Sequence, residues 1–183
     1  MSATSVSLSE SELSRLQRTA DNLEIREVLA RYCRGIDRGD LALVLSCFHE
    51  NATEDHGHFK GACAEFYRIV IERLADRLTS VNLTSVSVEF AGQDIALSEA
   101  YHLDILREGP IDTIYAGRYL DRFERRQGEW RIATRIATAD WWTRVPTNSL
   151  PLHDNLDPSV LNRGKRGLED PYFPMRSAIF GGR

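Results

Sequence analysis

Cysteine is scarce and carries no pairing pattern. The 183 residues include only Cys33, Cys47 and Cys63. An odd number without a C-x-x-C spacing gives no disulfide framework and reads as three reduced thiols used as small apolar side chains. A basic excess is also missing: 23 Lys and Arg stand against 27 Asp and Glu, a net charge of -4. A phosphate-binding surface needs the opposite balance, so no nucleic-acid partner is expected. No apolar run approaches the roughly 20 residues of a membrane span. Residues 1–10 are Ser-rich and lack the basic and apolar regions of a secretion signal. A soluble cytoplasmic protein is expected. No G-x-G-x-x-G follows a strand, and neither a Walker loop nor a G-x-S-x-G elbow is present. Dinucleotide, nucleotide and serine-hydrolase chemistry therefore lose support. Proton transfer without a cofactor stays open, and no cofactor or metal is expected.

What the chain does have is the composition of one packed domain, with 42% hydrophobic and 27% charged residues. Ile25, Val28, Leu29, Tyr32, Cys33 and Ile36 recur at helical spacing and predict an amphipathic helix. Asp21 is placed to cap it, with Glu24 three residues on, and Gly39 to stop it. Asp40 can cap a short helix over 41–48. A strand over 51–56 and a helix over 62–78 follow. Beyond Thr79 the period becomes two, and turns at Gly92, Gly109 and Gly128 separate strands over 83–90, 95–107, 112–125 and 129–144. Helices first and an antiparallel meander afterwards predict an α+β fold. The expected organisation is an arm over 1–20, a domain over 21–145 and a polar extension over 146–183. That extension holds most of the six prolines. It is too polar for a second domain, although Pro151, Leu152, Leu156, Tyr172 and Phe173 could anchor it on this subunit or on a neighbour.

Helices wedged against a bent sheet enclose a natural pocket for a small apolar molecule. Asp37 is the first candidate to face it, because a carboxylate at a helix C-terminus meets the negative end of the dipole and hints at a use elsewhere. Tyr32 lies about one and a half turns earlier on the buried stripe. His56 and His58, beside Asp55, can supply a base or hydrogen-bond donor at the pocket mouth; a metal on this His-x-His pair is the weaker reading. Arg135 sits among alanines on the last strand, and a buried cation there must find an anion, either Asp37 or a substrate oxygen. Phe59 falls beside the two histidines. Tyr101, Tyr115 and Tyr119 either line the cavity or fill the core.

The stretch Leu23 to Asp40 resembles the opening helix of the SnoaL-like branch of the nuclear-transport-factor-2 superfamily. Gly117 to Arg126 and Gly128-Glu129-Trp130-Arg131-Ile132, with Asp140-Trp141, are similar to its closing hairpin. The resemblance spans about residues 20–145. It implies an NTF2-like cone, with helices packed on a strongly curved antiparallel sheet, and cofactor-free lyase chemistry in an apolar interior. It also implies that Asp37 is the acid of an Asp-His dyad, that Tyr32 and Arg135 are functional, and that the chain is a homo-oligomer, with a trimer favoured and the tail crossing between subunits. One departure stands out. The histidine of that dyad precedes the strand read as 83–90, and here the chain has Ser80-Val81-Asn82. Asn82 cannot act as a base; it can orient substrate or, with Arg135, hold developing charge, while His56 or His58 takes over the base role.

The expectation is a cofactor-independent lyase. It would act on a hydrophobic, aromatic or phenolic small molecule, by elimination of water or by carbon–carbon cleavage with loss of formaldehyde. The scaffold also resembles that of the sphingomonad lyases that release formaldehyde from diarylpropanes. Tyr32, Asp37, His56, Asn82 and Arg135 are the expected catalytic set. His58, Phe59, Tyr101 and Tyr115 are the expected substrate contacts. A non-catalytic ligand-binding module and the small subunit of a ring-hydroxylating dioxygenase are the alternatives.

Overall fold

The computed structural model describes residues 8–147 and 161–181. Its first helix, α1, runs from Glu10 to Arg38. Local capping starts it: the Ser9 hydroxyl accepts from the Glu12 backbone N–H, and the Glu12 carboxylate accepts in return from the Ser9 N–H. The start lies eleven residues before the expected one. The reason is that the first three turns bury no side chain, so no apolar stripe marks them. Asp21, expected as a cap, is a buried acceptor for Arg125 at 2.7 Å and for the Trp130 indole at 3.1 Å. The stripe of Ile25, Val28, Leu29, Tyr32 and Ile36 is buried as predicted. Gly39, at a positive φ of 66°, closes the helix.

Asp40 accepts from the Leu43 N–H and caps α2, Leu41–Leu45. The two helices meet at Gly35, where an added Cβ would lie 2.7 Å from Val44 Cγ2. Gly35→Ala is therefore expected to destabilise the protein. Overpacking costs about 1–3 kcal/mol, against a helix-propensity gain of about 1 kcal/mol at most. A lower urea midpoint with an unchanged slope is the expected result.

The strands are β1 (Phe48–Asp55), β2 (Lys60–Ala62), β3 (Leu78–Phe90), β4 (Ile95–Glu108), β5 (Ile111–Arg126) and β6 (Glu129–Pro146), with α3 (Cys63–Arg73) between β2 and β3. They form one sheet in the order β2-β1-β6-β5-β4-β3. The expected meander is its β3–β6 part, four of the six strands, and β1 joins the end of the meander parallel to β6. Bulges interrupt the β3–β4 register near Thr84 and the β5–β6 register near Gly117 and Phe123. An extra residue bends its strand and raises the local twist, so the sheet curls round the helices into the expected α+β cone. Two elements carry too weak a pattern to be read from sequence: the three-residue β2, and α4 (Tyr172–Phe180), which follows a 3-10 turn at Gly167–Glu169. The long predicted third helix ends early, at Arg73, because β3 begins at Leu78.

Part of the C-terminal extension returns to the same chain. Asp170 is buried, accepts from the Lys165 and Tyr172 N–H groups, and pairs with Arg38 at 3.3 Å. The Arg166 guanidinium reaches the Asp37 carbonyl and Thr79 Oγ1. Tyr172 lies under Arg34. The proposed anchors Pro151, Leu152 and Leu156 fall outside the described residues. No helix among the described residues is long and apolar enough to cross a membrane.

Candidate active site

α3 and the inner face of the sheet enclose a cavity of about 470 Å³. Most of its wall is apolar: Ile36, Phe59, Phe66, Ile69, Val70, Leu74, Val81 and Leu106 contribute. It adjoins a more polar chamber of about 700 Å³ against β4–β6. The two share His56, His58, Asp104, Leu106, Tyr115 and Tyr119.

An imidazole on the shared wall meets a carboxylate buried behind it. Strand alternation turns Ala52 and Glu54 inward along β1. Glu54 is 1% exposed. Its Oε1 accepts from the Tyr67 hydroxyl at 2.8 Å and lies 2.7 Å from His56 Nε2. The His56 ring stacks on Phe66 at 4.2 Å between centroids. Gly57, at a φ of 74°, then turns the chain back into β2, with the Asp55 carboxylate accepting from the Gly57 N–H. This turn brings His58 and Phe59 to the same cavity. A carboxylate on one ring nitrogen fixes the imidazole's tautomer and orientation. Nε2 is the donor to Glu54, so Nδ1 keeps its lone pair. Among the described residues Nδ1 has no hydrogen-bond partner. Such a group can take a proton from a bound molecule.

Arg135 is 0% exposed. The predicted anion for it was Asp37 or a substrate oxygen; the structure supplies Asp121 instead. Two parallel bonds of 2.7 Å join the guanidinium to the Asp121 carboxylate. Its plane packs on Tyr32 at 4.1 Å and Tyr119 at 4.3 Å, and Nη1 donates to the Tyr67 hydroxyl at 3.3 Å. Burial opposes the charge, but the Asp121 carboxylate, with Tyr67 and Tyr32 beside it, holds the guanidinium well above its ordinary pKa. Arg135 lies behind the aromatic wall and does not line either chamber. It positions Tyr67 and through it Glu54. Tyr32 does line the cavity, but burial pushes its phenol above its ordinary value, which suits a hydrogen-bonding wall rather than a proton acceptor.

Asp37 is half-buried and does not line the cavity. Its Oδ1 accepts from the Thr79 hydroxyl at 2.8 Å and the Val81 N–H at 3.1 Å. It thus fastens the end of α1 to the start of β3, which is the local reason for a carboxylate where the dipole disfavours one. Burial raises its pKa, against the lowering by Thr79 and Val81. A carboxyl raised on folding is most favourable when protonated, so its stability contribution falls as pH rises from the ordinary carboxylate value through the raised one. Asp37→Asn lacks that loss. The wild-type-minus-variant difference in urea unfolding free energy is expected to fall with pH across that window and to flatten above it.

Two expected site residues face the wrong way. Asn82 is exposed on the outer side of β3, and its amide donates to the Ser80 and Leu103 carbonyls. Tyr101 is 47% exposed, on the face opposite His102. Strand alternation accounts for both: Val81 and His102 take the inward positions. Tyr115 lines both chambers, as expected. Glu54, Tyr67, Asp121, His102 and Asp104 escaped the sequence reading. The spacing of two between Glu54 and His56, and between His102 and Asp104, was the available signal.

A SnoaL-like domain model matches residues 17–136. With the curled sheet and the helix-lined cavity, the match places this chain in the SnoaL-like family, on the NTF2-like fold. Among solved structures, a scytalone dehydratase-like protein of Novosphingobium aromaticivorans is 19% identical, covering 69% of this chain and 89% of its own, with a TM-score of 0.63. A hexachlorocyclohexane dehydrochlorinase of type 3 from Novosphingobium barchaimii is 19% identical over 72% of this chain and 94% of its own, with a TM-score of 0.65. A protein of unknown function with a cystatin-like fold from Nostoc punctiforme is 20% identical over 73% and 96%, with a TM-score of 0.57. At these identities the likeness is one of fold. A search of curated proteins finds no significant match.

Proposed function

We propose that the protein is a cofactor-independent lyase for a hydrophobic, aromatic or phenolic small molecule. The observation that carries this reading is His56 on the wall of an apolar cavity, joined at 2.7 Å to Glu54 buried behind it. His56 Nδ1 takes the proton, Glu54 steadies the imidazolium that forms, and the apolar wall keeps the charge pair poorly screened. The fold and family match, and the dehydratase and dehydrochlorinase among its structural neighbours, support elimination chemistry.

Two eliminations fit one base. In dehydration the base removes a C–H proton, a carbon–carbon double bond forms, and hydroxide leaves from the neighbouring carbon as water once protonated. In aldehyde release the base removes the proton of a hydroxymethyl group. The C–C bond to that group breaks, formaldehyde departs, and the electron pair forms the alkene as the neighbouring hydroxyl leaves as water. Both steps return the proton to the leaving oxygen and need no oxidant.

The test is incubation with 1,2-diaryl-1,3-propanediols bearing a phenol, read by stilbene absorbance and formaldehyde release, beside β-hydroxy aryl ketones read for dehydration. Turnover of either class supports the reading. Tight binding with every compound returned unchanged would make the protein a ligand-binding module. The same reading includes a cytoplasmic homotrimer serving aromatic-compound catabolism. Sedimentation velocity checks the trimer.

A further inference from the structure

We infer that His102 and Asp104 form a second binding site, for a hydroxyl group of the substrate, in the polar chamber beside the His56 wall. His102 is 8% exposed and lines that chamber. Among the described residues, its Nε2 has no hydrogen-bond partner, and the same holds for Asp104 Oδ1. Nδ1 lies 3.0 Å from Asp104 Oδ2, which also accepts from the Tyr119 hydroxyl at 3.1 Å. Buried polar atoms are satisfied in nearly all folded proteins. Two unsatisfied ones together, beside an imidazole already paired to the carboxylate, point to a polar group that arrives with a ligand.

The surroundings are built for this imidazole. Its ring stacks on Tyr119, 4.3 Å between centroids at an interplanar angle of 16°. Beneath it stands Gly117, where an added Cβ would come 2.9 Å from His102 Nε2 and 2.0 Å from the Thr138 carbonyl oxygen. The absent side chain leaves the ring its place. With Nδ1 turned to the Asp104 carboxylate, the stacked, buried imidazole keeps an unpaired acceptor at Nε2, and a single hydroxyl proton can be donated either to it or to Asp104 Oδ1. The chemistry selects an alcohol or phenol rather than an ether or a hydrocarbon. The site rests on the proposed function only in calling this ligand the substrate. It makes that substrate an apolar body carrying a hydroxyl on the side away from the apolar cavity.

Calorimetry with 2-naphthol and its isostere 2-methylnaphthalene, which lacks the O–H, tests it. A site built for a hydroxyl is expected to favour 2-naphthol by about tenfold or more. His102→Phe is expected to remove that preference while the hydrocarbon binds as before; Tyr101→Phe, on the exposed face of the same strand, is expected to keep it. Histidine labelled with ¹⁵N in the wild-type protein gives a second reading that needs no variant to fold: His102 side-chain resonances move with 2-naphthol and not with 2-methylnaphthalene. Equal binding of the two compounds, no binding of 2-naphthol, or unmoved His102 resonances overturns the site and leaves those atoms to ordered water. Binding is read without turnover. A protein that discriminates but converts nothing keeps this site and loses the lyase reading; the converse result does the reverse.

Discussion

His56→Phe is expected to lower turnover by about 10²–10⁴-fold, the usual range for removing a positioned acid–base group. The phenyl ring can keep the stack on Phe66, 4.2 Å away, so the apolar wall survives while the proton acceptor is lost. Glu54→Gln tests the orienting partner separately. The amide keeps the size of the side chain but removes the charge that steadies the imidazolium. Its expected effect falls mainly on kcat, with KM little changed, because the glutamate lies behind His56 and does not line the cavity. A rise in KM alone in either variant would make the pair a packing feature. Stopped assays on single substrates, with circular dichroism to confirm folding, decide between these outcomes.

The second large effect is on stability. Asp121→Asn leaves Arg135 charged, fully buried and deprived of its bidentate partner. Breaking a buried pair on one side costs about 3–5 kcal/mol. For a domain of this size that is a large part of its stability. The loss should appear as a lower urea midpoint, and heating should show a fall in Tm. Replacing both members with apolar residues of similar volume, Arg135→Met with Asp121→Leu, is expected to recover most of it, since no bare charge remains. Activity should not follow stability in that double variant. Without the guanidinium, Tyr67 loses its 3.3 Å donor, and the hydroxyl that Tyr67 donates to Glu54 is no longer held in place. A stable but slow double variant is therefore expected, measured by urea unfolding beside turnover.

Which features were legible in the sequence follows from how each is encoded. The α1 stripe and the four meander strands are periodic over many residues, and periodicity is a core signal. The first turns of α1 have no such signal because they bury no side chain. β2 has three residues and exists only through its pairing with β1. His56, His58, Phe59 and Tyr115 reached the cavity as read. Asn82 and Tyr101 did not, since which face of β3 and β4 turns inward depends on register near the Thr84 bulge, a tertiary property. Glu54 and Asp121 were hidden for a different reason. A carboxylate in a strand reads as a solvated residue, and only the fold shows that Tyr67, His56 and Arg135 surround it. Asp37 illustrates the reverse case: its unfavourable position was noticed, but the structure resolves it by the Thr79 and Val81 bonds rather than by a place in the cavity.

The most direct measurement is a crystal structure of the protein with 4,4′-dihydroxystilbene bound. The account predicts one ring beneath α3 among Phe59, Phe66 and Leu74, with the ethylene carbons beside His56 and the distal hydroxyl in the chamber of His102. The compound lodged on the outer face of the sheet, with water filling the space in front of His56, would contradict it.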